Sequence, residues 1–222
     1  DVDPANIESF CQGMDVAVDG TDNFETRFLL NDAAVKLGMP WVYGGCLGAE
    51  GQTMTILPGD TACLRCLMVQ CPPPGSMPTC DTAGILGPVV NVIASWQAIE
   101  AIKILSGNRQ AVSRALTVVD LWDNTVRRVD LSALRQQMDC PACRHGEFPW
   151  LSGQYASRTA VLCGRNAVQL SHHGAGVSLE ELAGRLARVG QIHRNAFLLR
   201  LKVEPYELTI FADGRAIVAG TD

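Results

Sequence analysis

Residues 14–45 read MDVAVDGTDNFETRFLLNDAAVKLGMPWVYGG, and the order of apolar and punctuating residues predicts a strand, a helix and a second strand. Met14 to Val18 is an apolar run that ends in the loop Asp19-Gly20-Thr21-Asp22-Asn23. From Phe24 to Leu37 the apolar positions Phe28, Leu29, Ala33 and Val35 fall near helical spacing, and Gly38 with Pro40 stops the helix. Trp41 to Gly45 then reads as a buried strand. A strand, helix and strand in this order argue for a parallel sheet with crossover helices, in which ligands gather at the carboxyl ends of the strands. The Asp19 to Asn23 loop sits at such an end.

On the amino side, Ile7 to Gly13 reads as a short helix. The chain opens without a methionine, as though a fold were entered partway. Downstream, Gln52 to Leu57 continues the sheet, and Pro72, Pro73, Pro74 and Pro78 keep Cys71 to Thr82 irregular. Ile85 to Leu105 predicts a long helix, central in the domain, because Val89, Val92, Ile93, Trp96, Ile99 and Ile102 cover most of its circumference. Thr117 to Leu121 and Thr125 to Val129 read as a strand pair. The stretch 145–157 lacks any period and marks a boundary. Beyond it come a strand at Ala160 to Cys163, a helix at Leu179 to Val189 capped by Ser178 and Glu181, strands at Leu198 to Val203 and Glu207 to Phe211, and a hairpin at Asp213-Gly214. The expected architecture is α/β: a partial doubly wound, Rossmann-like sheet over residues 1–148, and a small α+β module over residues 159–222.

Two C-x-x-C pairs, Cys63/Cys66 and Cys140/Cys143, have the spacing of a Cys₄ zinc site. Thiolates suit zinc, and four protein ligands leave no open coordination position, so the expected role is structural. Redox-active or disulfide-bonded turns are the competing reading. Cys11, Cys46 and Cys163 sit among apolar or small residues and read as space-fillers, and Cys71 as a loop thiol. His172-His173 has no accompanying ligand and reads as a solvent-facing turn.

The 222 residues are 47% hydrophobic and 18% charged, enough apolar material for a main domain with a small appendage. A net charge of −5 without basic stripes argues against nucleic acid or an anionic membrane as partner. No uninterrupted apolar run approaches about 20 residues, and no basic-then-apolar leader opens the chain. Nine cysteines, four of them paired at metal-ligand spacing, fit a reducing compartment, so a cytoplasmic location is expected.

With Asp19-Gly20-Thr21-Asp22-Asn23, Arg27 and Asn31-Asp32, then Gly44-Gly45, Gly51-Gln52, Cys63-x-x-Cys66, Cys80-x-x-Ala83-Gly84-Ile85-Leu86-Gly87-Pro88, Gln97-Ala98-x-Glu100-Ala101-x-Lys103 and Cys140-x-x-Cys143 in order, the chain resembles the ThiF/MoeB/HesA family of ubiquitin-activating-enzyme-like adenylyltransferases. The match spans about residues 1–145. The resemblance implies a protein that uses ATP and Mg²⁺ to adenylate the C-terminal glycine of a ubiquitin-like sulfur carrier, with a sulfur donor and a homodimer among its partners. The family's Gly-rich phosphate loop has no counterpart in residues 1–222, so these residues alone are not expected to adenylate anything. The resemblance assigns Asp22 to ATP and magnesium; the plain alternative is an Asx-turn or helix cap. Asn23 and Arg27 shape the pocket or meet the carrier tail, unless Arg27 is a solvated helix residue. Cys80 aligns with a cysteine that carries a thioester, persulfide or acyl-disulfide in some members; the alternative is a plain loop thiol. A non-catalytic, zinc-stabilised module that binds a ubiquitin-like tail is the competing function, and thiol–disulfide exchange a third.

Overall fold

In the computed structural model, which describes residues 2–73, 76, 78, 80–155, 159–162, 167–170 and 176–221, α1 (Ile7–Cys11) leads to β1 (Ala17–Val18), α2 (Phe24–Leu37) and β2 (Trp41–Leu47). Asn23 starts α2: its backbone is extended and its side-chain oxygen accepts Thr26 N–H at 2.8 Å, satisfying one of the free amides of the first turn. Gly38 ends the helix at φ 68°, and its amide returns to the carbonyls of Ala34 and Val35. β1 and β2 then pair in parallel, Ala17 opposite Trp41 and Val18 opposite Val42. This is the crossover unit that residues 14–45 predict.

The remainder of the first sheet is antiparallel, so the parallel pairing that the strand–helix–strand pattern predicts is confined to β1 and β2. β3 (Glu50–Ile56), β4 (Ala115–Asp120) and β5 (Thr125–Asp130) extend it in the order β1-β2-β3-β4-β5. The links β2 to β3 and β4 to β5 are too short for a crossover, so each strand must turn back on its predecessor. The long connection between β3 and β4 carries α3 (Leu64–Leu67), α4 (Cys80–Ala83) and α5 (Gly87–Leu105). After β5 comes α6 (Leu134–Gln137).

α5 packs on β2 and β3, and two glycines let it come close. A Cβ at Gly44 would lie 2.6 Å from Gln97 Cδ, and one at Gly51 would lie 2.5 Å from Ile93 Cγ1. Among the described residues only one face of α5 is covered, so the helix is not central as its composition predicts. Val89, Ile93, Gln97, Ala101 and Ile104 are buried, whereas Ile99, Ile102 and Leu105 are 45%, 56% and 60% exposed. By length and composition α5 would suffice to cross a membrane, yet its buried face carries Gln97 and Glu100 against the sheet. The opposite side of this unit holds the larger core, where Phe28, Leu29, Trp41, Tyr43, Met54, Ile56 and Leu64 pack together. Trp150 joins that core with its ring tilted against Phe28, ring centroids 5.4 Å apart, so Trp150, after the last paired cysteine, packs within this unit.

The chain divides into two units, Asp1–Ala156 and Ser157–Asp222. The second is a six-stranded antiparallel sheet in the order β6-β7-β11-β10-β9-β8, formed by β6 (Thr159–Leu162), β7 (Ala167–Leu170), β8 (Gln191–Arg194), β9 (Leu198–Val203), β10 (Tyr206–Phe211) and β11 (Ala216–Ala219). α7 (Leu179–Leu186) is capped by Ser178, whose hydroxyl accepts Glu181 N–H at 3.3 Å, and it packs on β8 and β9 over Leu199 and Leu201. β7 and β8 are strands that the sequence reading does not mark. The readings of Cys163 and of His172-His173 lie outside the described residues.

Candidate active site and metal centre

The loop at the carboxyl end of β1 is built around a buried ion pair. Asp19 is 3% exposed, and Arg27 Nε donates to its Oδ2 at 3.0 Å. Arg27 Nη2 also donates to the carbonyls of Thr21 at 2.6 Å and Gly44 at 3.0 Å. The guanidinium stands over the rings of Phe24 and Tyr43, 5.7 and 5.4 Å from their centroids. Thr21 donates to Asp19 Oδ1 through both its amide and its hydroxyl, at 2.8 and 2.7 Å. From α5, Gln97 Nε2 donates to the carbonyls of Asp19 at 2.8 Å and Val42 at 3.1 Å, tying the ends of β1 and β2 to the helix. Arg27 is therefore no solvated helix residue. It is 8% exposed and holds the loop from beneath.

Above this platform, Asp22 is exposed, and Asn23 Nδ2 donates to its Oδ1 at 3.2 Å. Asn23, not Asp22, supplies the helix cap, so the carboxylate of Asp22 is left at the open side of the loop. A carboxylate held at a strand end suits a hard cation or the phosphate chemistry around one. Nearby, Tyr43 Oη accepts Gln52 Nε2–H at 2.9 Å, and burial pushes the phenol above its ordinary range while Arg27 opposes the shift.

Cys80 opens α4 rather than the long helix α5, and its thiol is partly buried. Its Sγ lies 4.0 Å from the carbonyl oxygen of Cys46 near the carboxyl end of β2. Burial pushes the Cys46 thiol up; Arg27 lowers it and Cys80 raises it again, so Cys46 feels both groups. Cys71 is also partly buried, its thiol pushed up to about 11 by burial and the charge of Glu25.

The two C-x-x-C pairs converge. All four Sγ atoms lie within 4.8 Å of one another, with Cys63 to Cys66 at 3.8 Å, Cys63 to Cys140 at 3.6 Å and Cys66 to Cys143 at 3.4 Å. These separations are far beyond a disulfide bond of about 2.05 Å. They match a tetrahedron edge of about 3.8 Å, which follows from metal–sulfur bonds of about 2.3 Å. Hydrogen bonds that the Cys63 thiol donates to the neighbouring sulfurs, that of Cys140 foremost, hold its proton far more tightly than usual. The surroundings brace the cluster: Leu64 N donates to Asn31 Oδ1 at 2.9 Å, Arg65 Nη1 to Asp32 Oδ1 at 3.4 Å and to the Glu147 carbonyl at 2.8 Å, and Trp150 N to Asp32 Oδ2 at 3.1 Å. Burial pushes the Asp32 carboxyl up to about 6 against the pull of Arg65.

Sequence reasoning singled out Asp22, Asn23, Arg27, Cys80 and the four paired cysteines but assigned no role to Asp19, Gln97, Asn31, Asp32 or Arg65. Asp19 opens the same pentapeptide, and Gln97 with Glu100 breaks the apolar buried face of α5, which is the signal that could have marked it. Arg65 carries no such mark, because its partner is 33 positions away.

Residues 1–142 match the model of the ThiF family. The chain is similar to the sulfur carrier protein ThiS adenylyltransferase of Bacillus subtilis, 41% identical over 100% of this chain and 65% of that protein. It is 40% identical to the SAMP-activating enzyme E1 of Haloferax volcanii over 65% of this chain and 52% of that one. To the sulfur carrier protein adenylyltransferase of Thermus thermophilus it is 38% identical over 62% of this chain and 52% of that one. The chain thus spans from about half to just under two thirds of the length of these three relatives.

Proposed function

The chain belongs to the ThiF family, and on that premise we propose that it is part of an ATP-dependent adenylyltransferase that activates the C-terminal glycine of a ubiquitin-like sulfur carrier. The observation that carries this reading is the similarity, along the whole chain, to a sulfur carrier protein ThiS adenylyltransferase. In the reaction the carrier carboxylate attacks the α-phosphorus of ATP, the acyl adenylate forms and pyrophosphate leaves. Asp22, at the rim of the β1 loop, would help to hold the magnesium that accompanies ATP, and Asn23 and Arg27 fix the loop that presents it. Cys80 takes the sulfur-handling role, receiving a sulfur substituent after activation. The activated glycine of the carrier, a sulfur donor and a reducing, cytoplasmic setting complete the reading.

Carrier-dependent exchange of labelled pyrophosphate into ATP by the whole protein tests it; no exchange would overturn it. Asp22→Ala is expected to slow that exchange on the order of 100-fold, about 2.7 kcal/mol of transition-state stabilisation. The exposed position predicts a stability change within about 0.5 kcal/mol, read by thermal unfolding. Exchange at the unaltered rate would remove Asp22 from the site.

The four cysteines fit zinc as donors and in spacing, and we assign them a structural Zn²⁺. When bound, the metal supplies a covalent-strength tie between the turn after β3 and the segment after α6, and no step of catalysis runs through it. A second copy of the protein would cover the apolar side of α5, where Ile99, Ile102 and Leu105 face outward. Ile102→Asp in the whole protein is expected to shift it from dimer to monomer in analytical ultracentrifugation; a dimer that persists would discard this interface.

A further inference from the structure

Two partly buried thiols, Cys46 and Cys80, come from segments 34 positions apart and meet beside the loop that carries Asp22. The meeting is set by backbone, not by one side-chain rotamer. Gly48 N donates to the Gly84 carbonyl and Leu86 N to the Gly48 carbonyl, both at 2.9 Å, and Gly48 and Ile85 form a parallel bridge. These bonds fasten the segment that follows Cys80 to the turn that follows Cys46. With its Sγ 4.0 Å from the Cys46 carbonyl, Cys80 stands against the backbone of its neighbour, close enough for the Cys46 thiol to feel its charge. Cys46 Sγ lies 4.0 Å from the Val89 carbonyl in the first turn of α5. The cysteines of the metal cluster are committed to one another, and Cys11 is buried at the end of α1. Cys46 and Cys80 are thus a thiol pair that the adenylation step does not use.

We propose that Cys46 is the resolving thiol for Cys80: a sulfur substituent captured on Cys80 is released when Cys46 closes an intrachain disulfide onto it. The inference rests on the sulfur-handling reading of Cys80 given above. Cys80 first holds R–S as a mixed disulfide, or as a persulfide where R is hydrogen. The Cys46 thiolate, having given its proton to solvent, attacks Cys80 Sγ. One S–S bond breaks as the other forms, and R–S⁻ leaves with the electron pair and takes up a proton. The number of disulfide bonds is unchanged, so no outside oxidant enters this step. A dithiol reductant returns both cysteines to thiols. The substrate class is therefore a sulfane sulfur or a disulfide-linked thiol, and the chemistry delivers it as a free thiol or hydrosulfide.

The test treats the whole protein with oxidised glutathione, then maps cysteines by alkylation and peptide mass spectrometry. The wild-type protein should show a Cys46–Cys80 linked peptide pair and only a trace of retained glutathione. Cys46→Ser should retain glutathione on Cys80 near stoichiometry, and Cys80→Ser should show no disulfide at Cys46. Cys46→Ala repeats the measurement with a different side chain, and the wild-type map depends on no variant at all. Retained glutathione on wild-type Cys80, a disulfide from Cys80 to Cys71 instead, or no reaction at Cys80 would each overturn the proposal. The assay contains neither ATP nor carrier, so its failure is separate from failure of the adenylation reading, which pyrophosphate exchange reports.

Discussion

Cys140→Ser is expected to leave the first unit unable to hold its fold under conditions where the unaltered chain is stable. A structural zinc site contributes about 10–16 kcal/mol of binding free energy at neutral pH, comparable to or larger than the about 5–15 kcal/mol by which a domain is stable at all. The cluster also sits inside the main apolar core, since Cys63, Cys66 and Cys140 are each no more than 2% exposed. A hydroxyl at position 140 would remove one thiolate donor and leave a polar group among Ala62, Leu64 and Ala142. Elemental analysis should find about one zinc per chain in the wild-type protein. In the variant, zinc should be lost, and the near-ultraviolet circular dichroism of the first unit should collapse. Cys71→Ser is the comparison, because Cys71 lies outside the cluster and should keep both metal and fold. A zinc-free protein with an unchanged melting temperature would sink the assignment.

Arg27→Ala is expected to lower stability by about 3–5 kcal/mol, because it leaves the Asp19 carboxylate buried without its counter-charge. The contrast with the surface is instructive. Lys36–Glu8 and Arg114–Asp60 have similar lengths, 2.9 and 2.8 Å, but exposed side chains, and each should contribute no more than about 1 kcal/mol. The same substitution releases the carbonyls of Thr21 and Gly44, so the loop bearing Asp22 loses its floor. Pyrophosphate exchange should fall with stability. Urea denaturation of Arg27→Ala, Asp19→Ala and the double variant reads the coupling: the double should be more stable than the sum of the singles predicts. Additive losses would mean that the pair is not what holds the loop.

Much of the candidate site was legible because its signals are local. Gly38 after an apolar helix and the C-x-x-C spacings each act within a few residues of themselves, whereas the cap falls on Asn23, one residue past the Asp22 that the sequence offers for it. Arg27 was read as lining a pocket or facing solvent, since helical periodicity places a residue on a face without saying what that face meets. Its partners Asp19 and Gly44 lie 8 and 17 positions away, one just past β1 and the other within β2, and only the docking of α2 beside these strands unites them. The helix α5 was read as central for the same reason: its sequence is apolar nearly all round, and composition does not count how many neighbours exist to cover it.

The sequence by itself determined the strand–helix–strand unit of residues 14–45, the glycine stop of its helix and the pairing of cysteines that suits a metal. Those features depend on side-chain spacing and backbone preference, which act along the chain. Only the tertiary structure decided that the sheet turns antiparallel after β2, that Asp19 and Arg27 form a buried floor under Asp22, and that Cys46 lies against Cys80. Such contacts join segments that no periodicity relates. Their closeness is a consequence of burying apolar surface, which brings together whatever polar groups the strand ends happen to carry.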